Sequence, residues 1–397
     1  MRPTFDRPYS ITMWDFSWLE RRWPGAGYED WDVALSELAE RGYDAVRIDA
    51  YPHLVSAGAE RVWELPPAWT QTSWGAQSLL RTSVLPELLQ FLEAARRHKI
   101  AVALSTWHRK DSDDVRMRIR TVEDQAGIWI DTLRHIDDAG LLETILYVDF
   151  CNEFPLTVWA PYLYTAESDQ VRSRTDPEVA AWMNESIRRV RDVFPDLDYT
   201  YSFCTQFSTW REQDISELDV LDLHVWMSHR EISDFNAQVG YNFERFEPTG
   251  FDNLVLNARR EYESDRAGYD TRLRGAIDLV ADWSRGTSRG LYSTECWAVI
   301  DWKDWPGLDW DWVKDVTAGG LRHAAGTGRW VGMSTSNFCG PQFAGMWRDV
   351  EWHQELTELI RSSPIDDDIL VAHRARRAPC LEPAASRASG LTDGRTS

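Results

Sequence analysis

Residues 13–20 read MWDFSWLE, from Met13 to Glu20. They sit at the end of the first strand-like run, about residues 10–16. In a doubly wound α/β domain that position carries a glycine-rich phosphate loop, and this stretch has no glycine. Strand-like and helix-like segments nevertheless alternate along most of the chain, which implies a parallel sheet. Eight such strands without a phosphate loop predict an α/β fold of the closed kind, a (β/α)8 TIM barrel with long βα loops.

Outward from that stretch, the further strands are expected at about residues 45–50, 100–106, 144–150, 198–203, 220–225, 290–294 and 330–335. Helices are expected at about residues 28–41, 84–98, 122–139, 177–194, 309–325 and 347–361, with a long helical stretch ending near residue 283. In the first helix Trp31, Leu35, Leu38 and Ala39 fall at helical spacing, and Gly42 stands where a C-terminal cap belongs. Two connections are long, residues 51–80 with Trp63, Trp69 and Trp74, and residues 227–251. Loops of that length are usually functional or disordered, and the aromatic content of the first argues against disorder. The expected organisation is one barrel domain over residues 1–361. An Ala-, Arg- and Ser-rich extension over 362–397 has no clear period and reads as loose or disordered.

A chain of 397 residues suffices for one large barrel. Its formal net charge of −21 disfavours nucleic acid and anionic membrane surfaces as partners. No run of apolar residues is long enough for a transmembrane helix, and the first residues lack the apolar core of a signal peptide. The five cysteines, Cys151, Cys204, Cys296, Cys339 and Cys380, form no CxxC pair, so they read as buried free thiols. Together these features predict a cytoplasmic protein.

Active sites of such barrels lie at the C-terminal ends of the strands. Those ends collect Trp14 and Asp15, Arg47 and Asp49, Trp107 and His108, Asn152 and Glu153, Gln206, His224 and Trp226, Glu295 and Trp297, Ser336 and Asn337. Two glutamates stand out, Glu153 closing YVDFCNE (147–153) and Glu295 in LYSTECW (291–297). Strands four and seven face each other across an eight-stranded barrel. A carboxyl on each suits the acid/base and nucleophile of a retaining glycosidase. Glu153 is the candidate acid/base and Glu295 the candidate nucleophile. Asn152 could hold a sugar 2-hydroxyl, and Arg47 could keep Glu295 ionised. His108 and His224 could bind hydroxyls or tune the carboxylates. The 22 tryptophans suit either core filling or stacking on sugar rings, with Trp14, Trp107, Trp226 and Trp297 the stacking candidates. Each has a plainer alternative: Arg47 as a structural ion pair, the histidines as satisfied core groups, Asp15 and Asp49 as braces of strand ends.

The pattern resembles clan A of the glycoside hydrolases, especially the cellulase-like family five. The resemblance covers about residues 11–360 and rests on Asn152-Glu153 and Glu295. Arg47 in VRIDAYP, His108 in STWHR and His224 in DLHVW match supporting positions by location. It implies a (β/α)8 barrel, hydrolysis with retention, and no need for a metal or organic cofactor. Two departures are visible. Where relatives often have His-x-Tyr at strand six, Trp226 stands in place of the tyrosine. Where relatives often have a tryptophan at the end of strand eight, the sequence reads STSNFCGP.

The expected function is therefore hydrolysis of a small β-glycoside or oligosaccharide, with a carbohydrate as the only partner. Two alternatives stay open: a carbohydrate-binding barrel without hydrolysis, and a metal-dependent sugar isomerase using Asp15, Asp49, Glu153 and Glu295. Oligomeric state has no signature in the sequence.

Overall fold

Strands β1 (Tyr9–Asp15) and β2 (Ala45–Asp49) are short apolar runs that pair in parallel, Ile11 beside Ala45 and Met13 beside Arg47. Their residues alternate between two faces. Val46 and Ile48 join the cluster shared with the helices, whereas Ala45 joins a second, smaller cluster. The computed structural model describes residues 5–69, 73–164, 170–242 and 247–377. It continues with β3 (Ala101–Ser105), β4 (Ile145–Asp149) and a fifth strand in two pieces, β5 (Tyr199–Thr200 and Ser202–Phe203). After these come β6 (Leu221–Leu223, continued by Val225–Trp226), β7 (Leu291–Ser293, continued by Cys296–Trp297) and β8 (Trp330–Met333). All pair in parallel. The first piece of β5 pairs with β4 and the second with β6, so the sheet returns on itself. The expected (β/α)8 barrel is the observed fold.

The outer layer is formed by α1 (Trp31–Glu40), α2 (Val84–His98), α3 (Val122–Asp138), α4 (Pro177–Arg191), α5 (Arg266–Thr287), α6 (Asp311–Ala325) and α7 (Val350–Ser362). Local chemistry sets their ends. Asp30 caps α1 by accepting from the backbone N–H groups of Asp32 and Val33, and Thr121 with Asp124 forms a capping box on α3. Gly42 follows α1 with φ +83°, and a Cβ there would collide with Thr357 of α7. The end of α1 thus meets α7 where only glycine fits.

Three departures from expectation matter. The segment 51–80 carries its own structure, a helix at Pro52–Ala57 and an antiparallel hairpin of Val62–Leu65 with Leu80–Ser83. Between β5 and β6, where a (β/α)8 repeat would place a helix and the sequence shows none, the connection is a 3₁₀ turn at Phe207–Glu212. The third concerns the extension read as loose. Its first part forms α8 (Asp367–Arg377), which closes the barrel floor. Ile369 is fully buried among Ile11, Ala45, Tyr147 and Val331, and the His373 ring packs on Phe5 at 4.1 Å. Arg329, buried just before β8, pairs with Asp366 at 3.2 Å and with Asp368. These anchors are few and spaced among polar residues, which hides the period. Residues 378–397, including Cys380, lie outside the described part.

Inside the barrel, side chains form layers. Ile11, Ala45, Ala103, Tyr147 and Tyr292 fill the lower part, the two tyrosine rings 4.6 Å apart. Arg47 lies above them, fully buried, with Asp149 at 2.6 Å and Asp222 at 3.6 Å. The apolar floor therefore ends in a buried charge layer beneath the strand ends.

Candidate active site

That charge layer orients what stands above it. Arg47 Nη1 donates to Glu295 Oε1 at 3.1 Å, and Nη2 lies 2.6 Å from both Asp149 Oδ2 and Asn152 Oδ1. Ser202 Oγ accepts the Glu153 backbone N–H at 3.0 Å, and the Asn152 N–H donates to Thr106 O at 2.9 Å. Asn152 and Glu153 are thereby fixed to the neighbouring strands β3 and β5. Glu153 itself has φ +48°, a left-handed conformation that is uncommon outside glycine and concentrates at functional positions.

The two glutamates converge on one imidazole. His224 Nδ1 is 3.2 Å from Glu153 Oε1 and 3.7 Å from Glu295 Oε1. One oxygen of each carboxylate and one His224 ring nitrogen all lie within 4.8 Å of one another. The second Glu153 oxygen accepts from Trp159 Nε1 at 3.2 Å. On the far side of His224, Nε2 is 3.3 Å from Thr294 Oγ1, whose hydroxyl faces Asp222 Oδ2 at 3.0 Å. A hydroxyl that donates to Asp222 can only accept from Nε2, so both ring nitrogens are placed to donate, as in an imidazolium.

The charges are interdependent. Burial opposes the charge on Arg47, but Asp149, Asp222 and Glu295 outweigh it and hold its pKa above the ordinary value. Burial likewise opposes a charged His224, and Glu295, Glu153 and Asp222 outweigh it, raising its pKa. For Glu153 burial favours the acid, yet hydrogen bonds from His224 and Trp159 bring its pKa below the usual range. Burial pushes Glu295 up to about 7 against the pull of His224 and Arg47. The cluster titrates as a unit rather than as separate residues.

A cavity of about 480 Å³ opens above these groups, within the ordinary range for small-molecule sites. Glu153, Glu295, Asn152, Asp15, Trp107, Trp226 and Asn337 line it. Asp15 is held by Ser17, with burial raising its pKa well above the usual range. The residues 51–80 segment contributes Trp69 and Trp74, and the strand-four connection contributes Trp159.

Other expected site residues go elsewhere. Trp14 is fully buried against Tyr28 and donates to Cys339 O at 3.1 Å. Trp297 is fully buried against Trp330 and donates to Ser334 O at 3.0 Å. Neither lines the cavity, so the stacking expectation is corrected for both. Asp49 is a brace, accepting from the Tyr51 and Trp107 backbone N–H groups at 2.7 and 3.1 Å. His108 packs beside Tyr162 with its pKa driven well below normal by burial, and it does not reach the cavity. Gln206 anchors the backbone of Arg174, and Ser336 accepts from the Phe338 N–H.

The donor set bears on metal binding as well. Glu153, His224 and Glu295 offer ligand atoms of a kind that could hold an ion. The Arg47 guanidinium, however, already supplies positive charge at Glu295. Asp15 and Asp49, the further ligands an isomerase reading would need, are not part of that group. Among the described residues no helix is long and apolar enough to cross a membrane.

Comparison with known proteins agrees with the geometry. The family described as sugar-binding cellulase-like matches residues 11–361. A solved candidate glycoside hydrolase from Parabacteroides distasonis is 46% identical, with TM-score 0.89, over 93% of this chain and 99% of its own. The endo-β-1,4-mannanase of Thermotoga petrophila shares 10% identity at TM-score 0.51, over 91% of this chain and 79% of its own. A GH5_18 protein from Bifidobacterium longum subsp. longum, solved with the disaccharide Manb1-4GlcNAc, shares 13% identity at TM-score 0.53, over 91% of this chain and 80% of its own. At those identities the last two likenesses concern the fold alone. No curated protein matches the sequence.

Proposed function

The chain belongs to the sugar-binding cellulase-like family, and from that premise we infer that it is a retaining glycoside hydrolase acting on a small β-glycoside or oligosaccharide. The observation that carries the retaining reading is the closeness of the two carboxylates, whose nearest ligand atoms lie within 4.8 Å. Retaining enzymes place their carboxyls about 5–5.5 Å apart, whereas inverting enzymes need roughly 6.5–9.5 Å to admit a water between them.

In this reading Glu295 attacks the anomeric carbon. The bond to the aglycone oxygen breaks, and Glu153 gives that oxygen its proton. Glu295 is then esterified to the sugar. Water attacks the same carbon, Glu153 takes its proton, and the Glu295 carboxylate leaves. Arg47, 3.1 Å from Glu295, favours the ionised nucleophile and the departing carboxylate. His224, within reach of both glutamates, supplies positive charge between them. Trp107 and Trp226 offer ring surface to the sugar. A reducing, cytoplasmic setting belongs to the same reading, supported by four buried free cysteines.

The first test is a panel of aryl β- and α-glycosides hydrolysed in the presence of EDTA, with proton NMR of the first-formed sugar. The expected result is turnover of a β-glycoside with the β-anomer appearing first. The α-anomer first would exclude double displacement, and loss of turnover on chelation would point to the metal-dependent alternative.

The pH profile is a second expected outcome. Between the titrations of Glu153 and Glu295 the coupled pair carries one proton, held by Glu295 in the free protein; in this reading it passes to Glu153 when the sugar binds, which leaves Glu153 the acid and Glu295 the nucleophile. As pH rises through about 7 that proton is lost. The profile of kcat/KM should therefore fall on its alkaline side from near pH 7, about tenfold per further unit. A plateau extending to pH 9 would contradict the shared-proton description.

A further inference from the structure

Two buried acceptors in the cavity wall have no partner. Asp301 and Asn337 are each 2% exposed, and both line the cavity. Asp301 Oδ2 accepts the Tyr241 hydroxyl, which leaves Oδ1 without a hydrogen bond among the described residues. Asn337 Nδ2 donates to Ile300 O at 3.0 Å, which fixes the amide orientation and leaves Oδ1 likewise unpartnered. Because Ile300 precedes Asp301, the two acceptors belong to one patch. The Asn337 backbone N–H donates to Cys296 O at 3.1 Å, which ties that patch to the residue following Glu295. A single donor complements them: Trp226 Nε1, also in the cavity wall and also unpartnered.

Buried polar groups are nearly always satisfied, so a group of exceptions in one cavity wall calls for an outside partner. Two acceptors ask for hydroxyl donors, and an aspartate among them repels an anionic sugar once it is ionised, which burial delays to about pH 7. The opposite wall, beside Glu153, differs in character, since Leu156, Val158 and Val171 contribute apolar surface there. In double displacement the aglycone leaves on the side of the acid, and the glycone stays with the nucleophile.

We propose that Asp301 and Asn337 are specificity-determining residues that accept hydrogen bonds from two hydroxyls of a neutral glycone, with Trp226 Nε1 donating to a sugar oxygen. The inference rests on the retaining reading only for which side of the scissile bond that sugar occupies. Selection is accordingly strict for the sugar on the Glu295 side and loose for the group on the Glu153 side.

The test is calorimetric binding of methyl β-glycosides to the Glu295→Gln protein, which does not depend on turnover. The probes, at pH 8 so that Asp301 is ionised, are the gluco, galacto, manno and xylo compounds, their monodeoxy analogues, and methyl β-glucuronide. Asp301→Asn keeps an oxygen that can accept from Tyr241, and Asn337→Ala is the second variant. Melting temperature checks that both fold. The expected result is a neutral sugar that binds and loses about tenfold or more in affinity on removal of either of two hydroxyls. Asp301→Asn should abolish the penalty at one position and Asn337→Ala at the other. Unchanged penalties in both variants, glucuronide binding equal to the neutral sugar, or no neutral sugar binding at all would each overturn the proposal. Hydrolysis of the aryl panel by wild type is read separately, so failure here is distinct from failure of the hydrolase reading.

Discussion

Glu295→Ala should lower kcat/KM for the best aryl β-glycoside on the order of 10⁴-fold, because no other group can form the covalent intermediate. Added azide should restore part of the turnover and yield the α-glycosyl azide, the small anion attacking from the face that Glu295 vacates. Glu153→Ala should behave differently. With a good leaving group the first step survives, the glycosyl-enzyme accumulates, and azide releases it as the β-glycosyl azide. The two anomers therefore assign the two roles. A β-azide from Glu295→Ala would reverse them, and activity above a tenth of wild type would remove Glu295 from the chemistry.

Stability separates this outcome from misfolding. Burial raises the Glu295 pKa to about 7 in the folded protein, above the roughly 4.3 of an unfolded chain. The folded state thus binds the proton more tightly, and stability from this group is lost as pH rises from about 4 to about 7. Removing the carboxyl relieves that loss. Glu295→Ala should melt no lower than wild type at pH 8 while being inactive, the usual trade between function and stability.

How much of this was legible in the sequence depends on what each residue's position could encode. Helix periods and strand runs carried the barrel, since α2 needs only its own amphipathic spacing to be located. Glu153, Glu295, Arg47 and His224 were legible because a strand end fixes their height in the barrel. Which way a residue faces was less so. Trp14 precedes Asp15, and alternation sends one to the helices when the other enters the cavity. Trp297 lies two residues beyond Glu295 and ought to share its face, yet β7 is interrupted between Ser293 and Cys296, which breaks the alternation. Asp301 and Trp159 lie on connections, where no period applies and only tertiary contact selects them. Helix α8 was missed for a related reason. Its reason to fold lies in Arg329, Phe5 and the barrel floor rather than in its own sequence.

Arg47 is where fold and chemistry meet, and Arg47→Met should damage both. The guanidinium faces Asp149, Asp222 and Glu295 in a layer closed to solvent. Deleting one partner of such a buried network leaves uncompensated charge and costs about 3–5 kcal/mol. Urea unfolding should show that loss in full at pH 8. At pH 5.5 it should be smaller, because protons taken up by the carboxylates then replace the missing positive charge. Activity should fall as well, by about 10²–10³-fold, the usual effect of removing a preorganised donor. The direction in pH follows from the same charge. Without Arg47 the pair holds its last proton to higher pH, so the alkaline fall of kcat/KM moves upward from about 7. Arg47→Lys should recover stability only in part, since one ammonium cannot reach Glu295, Asp149 and Asn152 in the fixed geometry of the planar fork. Equal destabilisation at both pH values would mean that Arg47 acts by packing alone. A wild-type pH profile in a folded Arg47→Met protein would detach it from Glu295. The buried charge layer has one arrangement that serves the floor below and the glutamates above, so the same substitution must be read out in denaturant and in turnover together.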